Sequence, residues 1–195
     1  SGDSVTFTVS GSELLIASAG VLTFASAPDY ETKSSYTATV TGTDGANSTT
    51  QDITVNVTDA NDIAPVFTSG AAFSAAENQL SIGTVTATDV DSESITFTVS
   101  GSELAITSGG VLSFKVAPDY ETKATYTATV TASDGTNETS RSVTITITNV
   151  NDNSPIFTTL SSFSVSENQT SIGTVAATDL DADILSYSVS GTDAS

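Results

Sequence analysis

The sequence predicts an all-β protein built from tandem seven-stranded antiparallel Greek-key β-sandwiches set end to end. Three observations lead there. The chain repeats itself at a fixed offset of 90 residues. Within each repeat, apolar residues alternate with Thr at a period of two, the pattern of half-buried strands. No stretch of useful length reads as a helix.

The repeat is ungapped. Phe7 to Phe67 aligns on Phe97 to Phe157, and Phe7-Thr8-Val9-Ser10-Gly11-Ser12-Glu13-Leu14 is identical to the segment Phe97 to Leu104. Ala27-Pro28-Asp29-Tyr30-Glu31-Thr32-Lys33 returns as Ala117 to Lys123, Glu77-Asn78-Gln79 as Glu167-Asn168-Gln169, and Asp89-Val90-Asp91 as Asp179-Leu180-Asp181. A unit of this length buries a core of its own, so the array is one of domains rather than a solenoid. The expected divisions are a partial repeat over 1–62 lacking its first strands, a complete repeat over 63–152, and a partial repeat over 153–195 with N-terminal strands only. The partial repeats suit an excerpt of a longer array. The alternative is that the C-terminal part-repeat of one chain completes the N-terminal part-repeat of another, because unpaired sheet edges invite such pairing.

The elements of the central repeat follow in order. Val66–Ala76 reads as a strand with an irregularity at Ser69-Gly70, and Gly83–Thr88 as the next. Short apolar runs mark Ile95–Val99, Glu103–Ile106 and Gly110–Phe114. Tyr126, Ala128, Val130 and Ala132 alternate with Thr125, Thr127, Thr129 and Thr131; Val143, Ile145 and Ile147 alternate with Thr144, Thr146 and Thr148. β-Branched Thr suits the solvent face of a pleated sheet. About seven short strands with one apolar face each make a two-sheet sandwich.

Composition restricts function. The chain has 23 Asp+Glu against 4 Lys+Arg, a net charge of −19, which argues against nucleic acid and anionic membrane surfaces as partners. It contains no His and no Cys, so nucleophilic Ser–His or Cys–His catalysis, ordinary zinc sites and disulfides are all excluded. No apolar run is long enough to span a bilayer, and no direct membrane insertion is expected. A pair of carboxylates is the one catalytic option left, and no cleft-forming insertion accompanies it. The chain reads as a non-enzyme. Sequons at Asn47, Asn56, Asn137 and Asn168 arise readily in a Thr-rich chain.

The acidic residues are not scattered. Asp59-Ala60-Asn61-Asp62-Ile63-Ala64-Pro65 recurs as Asn149-Val150-Asn151-Asp152-Asn153-Ser154-Pro155, at the join of one repeat to the next. Strand ends have no need of carboxylates, whereas hard oxygen ligands clustered at a join suit Ca2+. Asp and Asn in turns also bond their own backbone, and Asp134 before Gly135 reads equally well as a plain hairpin turn. Pro65 and Pro155 read as strand-entry residues, and Tyr30 and Tyr120 are expected to pack behind the acidic loops.

Taken in order, the motifs x-E-x, D-x-E, D-x-N-D-x-x-P, D-x-D and x-D-G resemble those of cadherin repeats, over the whole chain. The short Thr/Ser-rich units without Cys are closer in style to bacterial giant surface adhesins than to animal cadherins. The resemblance implies an immunoglobulin-like sandwich and about three Ca2+ ions per joint, held by both neighbouring repeats. By position, it implies that the first joint draws on Asp29, Glu31, Asp59, the Ala60 carbonyl, Asn61, Asp62, the Ile63 carbonyl, Asp89, Asp91 and Asp134. The second would draw on Glu77, Asp119, Glu121, Asn149, the Val150 carbonyl, Asn151, Asp152, the Asn153 carbonyl, Asp179 and Asp181. Asn149 stands where the first joint has Asp59, which removes one charge from the second. The implied role is a calcium-rigidified extender of a long extracellular adhesin or surface filament at the cell surface. Its partners would be the neighbouring repeats of the chain, with other copies of the chain as further candidates. The alternative is a calcium-dependent homophilic or polysaccharide-binding module.

Overall fold

The computed structural model describes residues 4–91, 94–191 and 193. All regular structure among them is strand: β1 Thr6–Val9, β2 Leu14–Ile16, β3 Leu22–Phe24, β4 Ser35–Thr43, β5 Ser48–Asn56, β6 Val66–Phe67, β7 Ala72–Ala76, β8 Ser81–Thr84, β9 Ala87–Thr88, β10 Thr96–Val99, β11 Leu104–Ile106, β12 Val111–Phe114, β13 Thr125–Ser133, β14 Glu138–Thr148, β15 Ile156–Phe157 and β16 Ala177–Thr178. No helix among the described residues is long and apolar enough to cross a membrane.

The described residues fall into two compact units. The first comprises Ser1–Val66, Thr88–Ile95 and Ser133–Glu138. Its sheet runs β1-β4-β5, with Tyr36 opposite Val55 and Thr39 opposite Asp52. A second pair, β2 with β3, places Leu14 opposite Phe24. Leu14 is the buried centre of this unit, and Phe24 meets Tyr36 edge-to-face at 5.1 Å.

The second unit comprises Phe67–Ala87, Thr96–Ala132 and Thr139–Ser195. One sheet runs β10-β13-β14-β7 and another β11-β12-β8. Their inner faces supply the core: Phe97, Val130, Ala132, Val143, Ile145 and Ile147 from the first, Leu104, Leu112 and Phe114 from the second. Every one of these sits at an apolar position of the period-two pattern, because successive side chains of a pleated strand point to opposite faces. Phe114 contacts Tyr126 edge-to-face at 5.0 Å.

The expected irregularity at Ser69-Gly70 is where the first strand of the repeat breaks. Before it, β6 pairs with β9; after it, β7 runs parallel to β14, with Phe73 opposite Ile145. The Arg141 guanidinium lies 4.6 Å from the centre of the Phe67 ring and donates to the Ser69 carbonyl at the break. The expected strand over Gly83–Thr88 likewise divides into β8 and β9. At Val85 the chain turns to Gly110 instead, its amide donating to the Gly110 carbonyl at 2.8 Å. Residues 153–191 contain one strand pair among those described, β15 with β16. The counterpart of β7, residues 162–166, has no partner strand among the described residues and forms none.

Candidate metal centres

The acidic residues gather in two places, each within a single unit. In the first unit, carboxylate oxygens of Glu31, Asp59 and Asp91 lie within 4.8 Å of one another. Asp91 is 6 % exposed, and its Oδ2 accepts the backbone N–H groups of Asp62 (3.0 Å) and Ile63 (2.9 Å). Asp89 Oδ1 accepts the Asp91 N–H at 2.9 Å, so the D-x-D segment folds back on itself and one oxygen of each acid is left outside these bonds. Those remaining oxygens, Asp89 Oδ2 and Asp91 Oδ1, are buried and have no hydrogen-bond donor. A buried anionic oxygen without a donor is costly, and a cation is the usual remedy.

Other residues expected at this joint take local bonds. Asp29 accepts from the Thr32 hydroxyl (2.8 Å) and amide (3.2 Å), which hold its carboxyl below the usual range. Asp134 accepts the amides of Thr136 and Asn137, each at 2.6 Å; burial pushes its carboxyl up, but these donors outweigh it and leave it low. Asn137 also donates its side-chain amide to Asn61 Oδ1 (2.8 Å), orienting Asn61. Glu31 behaves oppositely. Its own backbone amide pulls it down, yet desolvation and the carboxylates of Asp29, Asp59 and Asp91 outweigh that and raise it. Asp62 presents an exposed carboxylate, and the Ala60 and Ile63 carbonyls lie in the same linker.

In the second unit, Glu77, Glu121, Asp152 and Asp181 form a four-carboxylate group, and Asp179, Asp181 and Asp183 a further three, each within 4.8 Å. Glu77 is 3 % exposed and clamps two loops: Oε1 accepts the Val150 N–H at 2.8 Å and Oε2 the Tyr120 N–H at 2.7 Å. Asp181 repeats the Asp91 arrangement, accepting the amides of Asp152 (3.0 Å) and Asn153 (2.7 Å). Burial raises Asp181, but the donors from Asn153 and Asp152 outweigh it and hold it low. Burial, with the charges of Glu77 and Asp181, raises Glu121, whose Oε1 is buried without a donor. Asp119 is occupied by Thr122, as Asp29 is by Thr32. Asn149 donates to the Asp181 carbonyl at 3.0 Å, and Asn151 lines a cleft of about 240 Å³ with Asn153, Asp179 and Asp183.

Three residues escaped the sequence reading. Asp183 extends the D-x-D pattern by one more alternate acid, a signal present in Asp179-Leu180-Asp181-Ala182-Asp183. Asn78, held at a φ of 62°, donates to Asp152 Oδ2, and Asn137 positions Asn61. An Asn in a turn has the same local signature whether or not it reaches a distant loop. Tyr30 and Tyr120, expected behind the acidic loops, are 38 % and 36 % exposed.

The donor set is all oxygen, rich in carboxylate, and has buried oxygens without donors in both places. That fits a hard divalent cation such as Ca2+.

The two-sheet architecture defines an immunoglobulin-like β-sandwich, and residues 61–148 match the family described as Bacterial Ig domain. Among solved structures, the chain superposes on a protocadherin gammaB7 EC3-6 cis-dimer structure with a TM-score of 0.77, covering 92 % of this chain and 53 % of that one at 26 % identity. It superposes on mouse cadherin-23 EC22-24 at 0.73, covering 91 % and 65 % at 28 % identity. It is 34 % identical over 159 residues to the protocadherin-like wing polarity protein stan of Drosophila melanogaster, over 71 % of this chain and 4 % of that protein. The chain is made of cadherin-like domains. It spans a small fraction of the curated relative and about half to two thirds of the solved chains.

Proposed function

We propose that the chain is a calcium-rigidified extender segment of a long extracellular adhesin or surface filament. Its repeats are 1–62, 63–152 and 153–195, joined at 59–65 and 149–155. The observation that carries this reading is the pair of buried, donor-less oxygens on Asp89 and Asp91 beside Glu31 and Asp59. Ca2+ would be held at the first joint by Glu31, Asp59, Asp62, Asp89 and Asp91, with Asn61 and the Ala60 and Ile63 carbonyls. At the second, the holders are Glu77, Glu121, Asp152 and Asp181, with Asp179, Asn149, Asn151 and the Val150 and Asn153 carbonyls; about three ions per joint suit this number of oxygens. When bound, the cation neutralises crowded like charges and ties the linker to the loops around it.

Asp29 and Asp119 serve first to shape the D-x-E turn, so that Glu31 and Glu121 face the cation. Asp134 shapes its hairpin in the same way. Extracellular calcium modules bind at roughly 10⁻⁴–10⁻³ M, so rigidity at the joints would accompany exposure to the millimolar calcium outside a cell. The partners of each repeat are its chain neighbours, with other copies of the chain as a further candidate; the solved protocadherin relative is a cis-dimer by its description. The absence of Trp, His and Cys and the charge of −19 suit a spacer better than a catalyst.

The test is small-angle scattering of the chain in millimolar calcium and then in EGTA, with limited proteolysis of the two linkers. The expected result is a maximum dimension that shortens in EGTA and linkers that become cleavable. Profiles and cleavage patterns that do not respond to calcium would sink the reading.

A further inference from the structure

The two joints are not equivalent in how they treat their own negative charge. In the first, Asp89 Oδ2 and Asp91 Oδ1 are buried with no donor. In the second, Asn153 inserts its side-chain amide among the carboxylates: Nδ2 lies 2.7 Å from Asp152 Oδ1, 3.1 Å from Asp181 Oδ1 and 3.4 Å from Glu121 Oε2. All three neighbours are acceptor-only when ionised, so it is the NH2 end of the amide that faces them. All but one of the other oxygens are satisfied too. Asp152 Oδ2 accepts from Asn78, and Asp181 Oδ2 from two backbone amides. Glu121 Oε1 is the one donor-less oxygen of this group. The first joint has Ile63 at the position of Asn153, 39 % exposed, and among the described residues no side-chain amide bridges its cluster of Glu31, Asp59 and Asp91, where Asp91 accepts backbone amides alone.

We propose that the Asn153 amide is a built-in substitute for a cation. In the ion-free second joint it bridges Glu121, Asp152 and Asp181, so that this joint keeps its shape without Ca2+ and must give up these hydrogen bonds when Ca2+ enters. The first joint shares the backbone clamp on Asp91 Oδ2 but, with Ile63, has no such side-chain bridge among the described residues to give up or to hold it. The consequence is a division of labour along one chain: a first joint that binds Ca2+ more tightly and loosens further when it is removed, and a second that binds more weakly and stays better ordered. The partial positive charge of an N–H bonded to a carboxylate supplies part of what the cation supplies in full. The inference rests on the calcium reading of these joints.

The test swaps the two residues in the full chain, as Asn153→Ile and, reciprocally, Ile63→Asn. Both leave the proposed backbone carbonyl ligand in place. Ile is already accommodated at the equivalent position, and Asn153→Ala serves if the Ile variant fails to fold. Calcium is titrated while the backbone amides of Asp62 and Asp91 report the first joint and those of Asp152 and Asp181 the second, by ¹⁵N NMR. In the parent, the second joint is expected to have the higher calcium midpoint. In Asn153→Ile that midpoint falls about ten-fold, the worth of one hydrogen bond to a charged group, and the Asp152 and Asp181 amides lose hydrogen-exchange protection in EGTA. Ile63→Asn moves the first joint the other way on both measures. A midpoint for Asn153→Ile that is unchanged or higher overturns the proposal, since the amide would then support the bound ion or be idle. If neither joint of the parent responds to calcium, the calcium reading itself fails and takes the competition with it.

Discussion

Replacing Asp91 with Asn changes one charge and almost no volume, and the structure lets its effect be worked out separately with and without calcium. Asp91 Oδ2 accepts two backbone amides, from Asp62 and Ile63, while Oδ1 is buried without a donor. In the Asp91→Asn variant the side-chain carbonyl oxygen can keep both amides, but each bond drops from a charged to a neutral acceptor, a loss of about 1 kcal/mol apiece. Against that, the new NH2 takes the place of the orphaned oxygen. Asp91 shares a cluster with Glu31 and Asp59, one carboxylate oxygen of each lying within 4.8 Å of the others, so an NH2 donor there has anionic neighbours and relieves a penalty of about 1–3 kcal/mol. The two changes nearly cancel, so the ion-free joint should change by no more than about 1 kcal/mol. With calcium the balance is different. An ion at a hundred times its dissociation constant stabilises the joint by about 2.7 kcal/mol, and a ten-fold loss of affinity on removing a charged ligand costs about 1.4 kcal/mol of it. Hydrogen exchange at the Asp62 and Ile63 amides measures both cases, because these are the N–H groups that Asp91 holds. The expected outcome is a deficit in calcium that disappears in EGTA. An equal deficit in both would show that Asp91 merely clamps the linker and binds no ion.

Two further predictions concern the fold. Gly110 has a φ of +87°, and a Cβ there would lie 2.1 Å from the Val85 carbonyl oxygen. Gly110→Ala should therefore destabilise the second unit by about 3 kcal/mol or more, whereas Gly135→Ala, with a φ of +99° and open space around it, should cost only about 1–2 kcal/mol; thermal melting of the two variants compares them. Asp44 accepts the Asn47 and Ala46 amides, at 2.6 Å and 2.9 Å, and they hold its carboxyl below the ordinary aspartate value. A depressed carboxyl contributes stability that is present above its unfolded value and is lost as pH falls through the folded one. Carboxyl ¹³C titration should thus place Asp44 below the ordinary aspartate value, and Asp44→Asn should flatten the acid limb of hairpin stability below about pH 4.

Much of the architecture was legible because strands encode their faces. Val143, Ile145 and Ile147 are read as one buried row from their spacing alone, and they are buried. The break at Ser69-Gly70 was visible as an interruption of the pattern. What it produces was not. Alternation says which face of Ala72–Ala76 is inward but not which strand lies beside it, and the partner is β14, far along the chain and parallel. β14 also begins at Glu138, well before its apolar row, because residues 138–142 carry no facial signal. Their place is set by pairing with β13. At the joints, Asp29 and Glu31 looked alike as ligands two residues apart. Thr32 takes both oxygens of Asp29, while Glu31 turns toward Asp59 and Asp91.

The sequence by itself determined that the chain is repeated, that each repeat is a two-faced strand structure, and that acidic residues collect at the joins. These are properties of spacing along one strand, and the geometry of the pleat translates them directly into buried and exposed faces. Only the tertiary structure decided which carboxylate oxygens are satisfied and which are left without a donor. That depends on loops from distant parts of a repeat meeting in space: Glu77 with Tyr120 and Val150, Asp91 with Asp62 and Ile63, and Asn153 among Glu121, Asp152 and Asp181. Two linkers that share Asn, Asp and Pro at the same spacing look alike in a line of text, and the exchange of Ile63 for Asn153 between them carries no visible signal of its own. They differ in the fold because one of them carries its own hydrogen-bond donor into the charge.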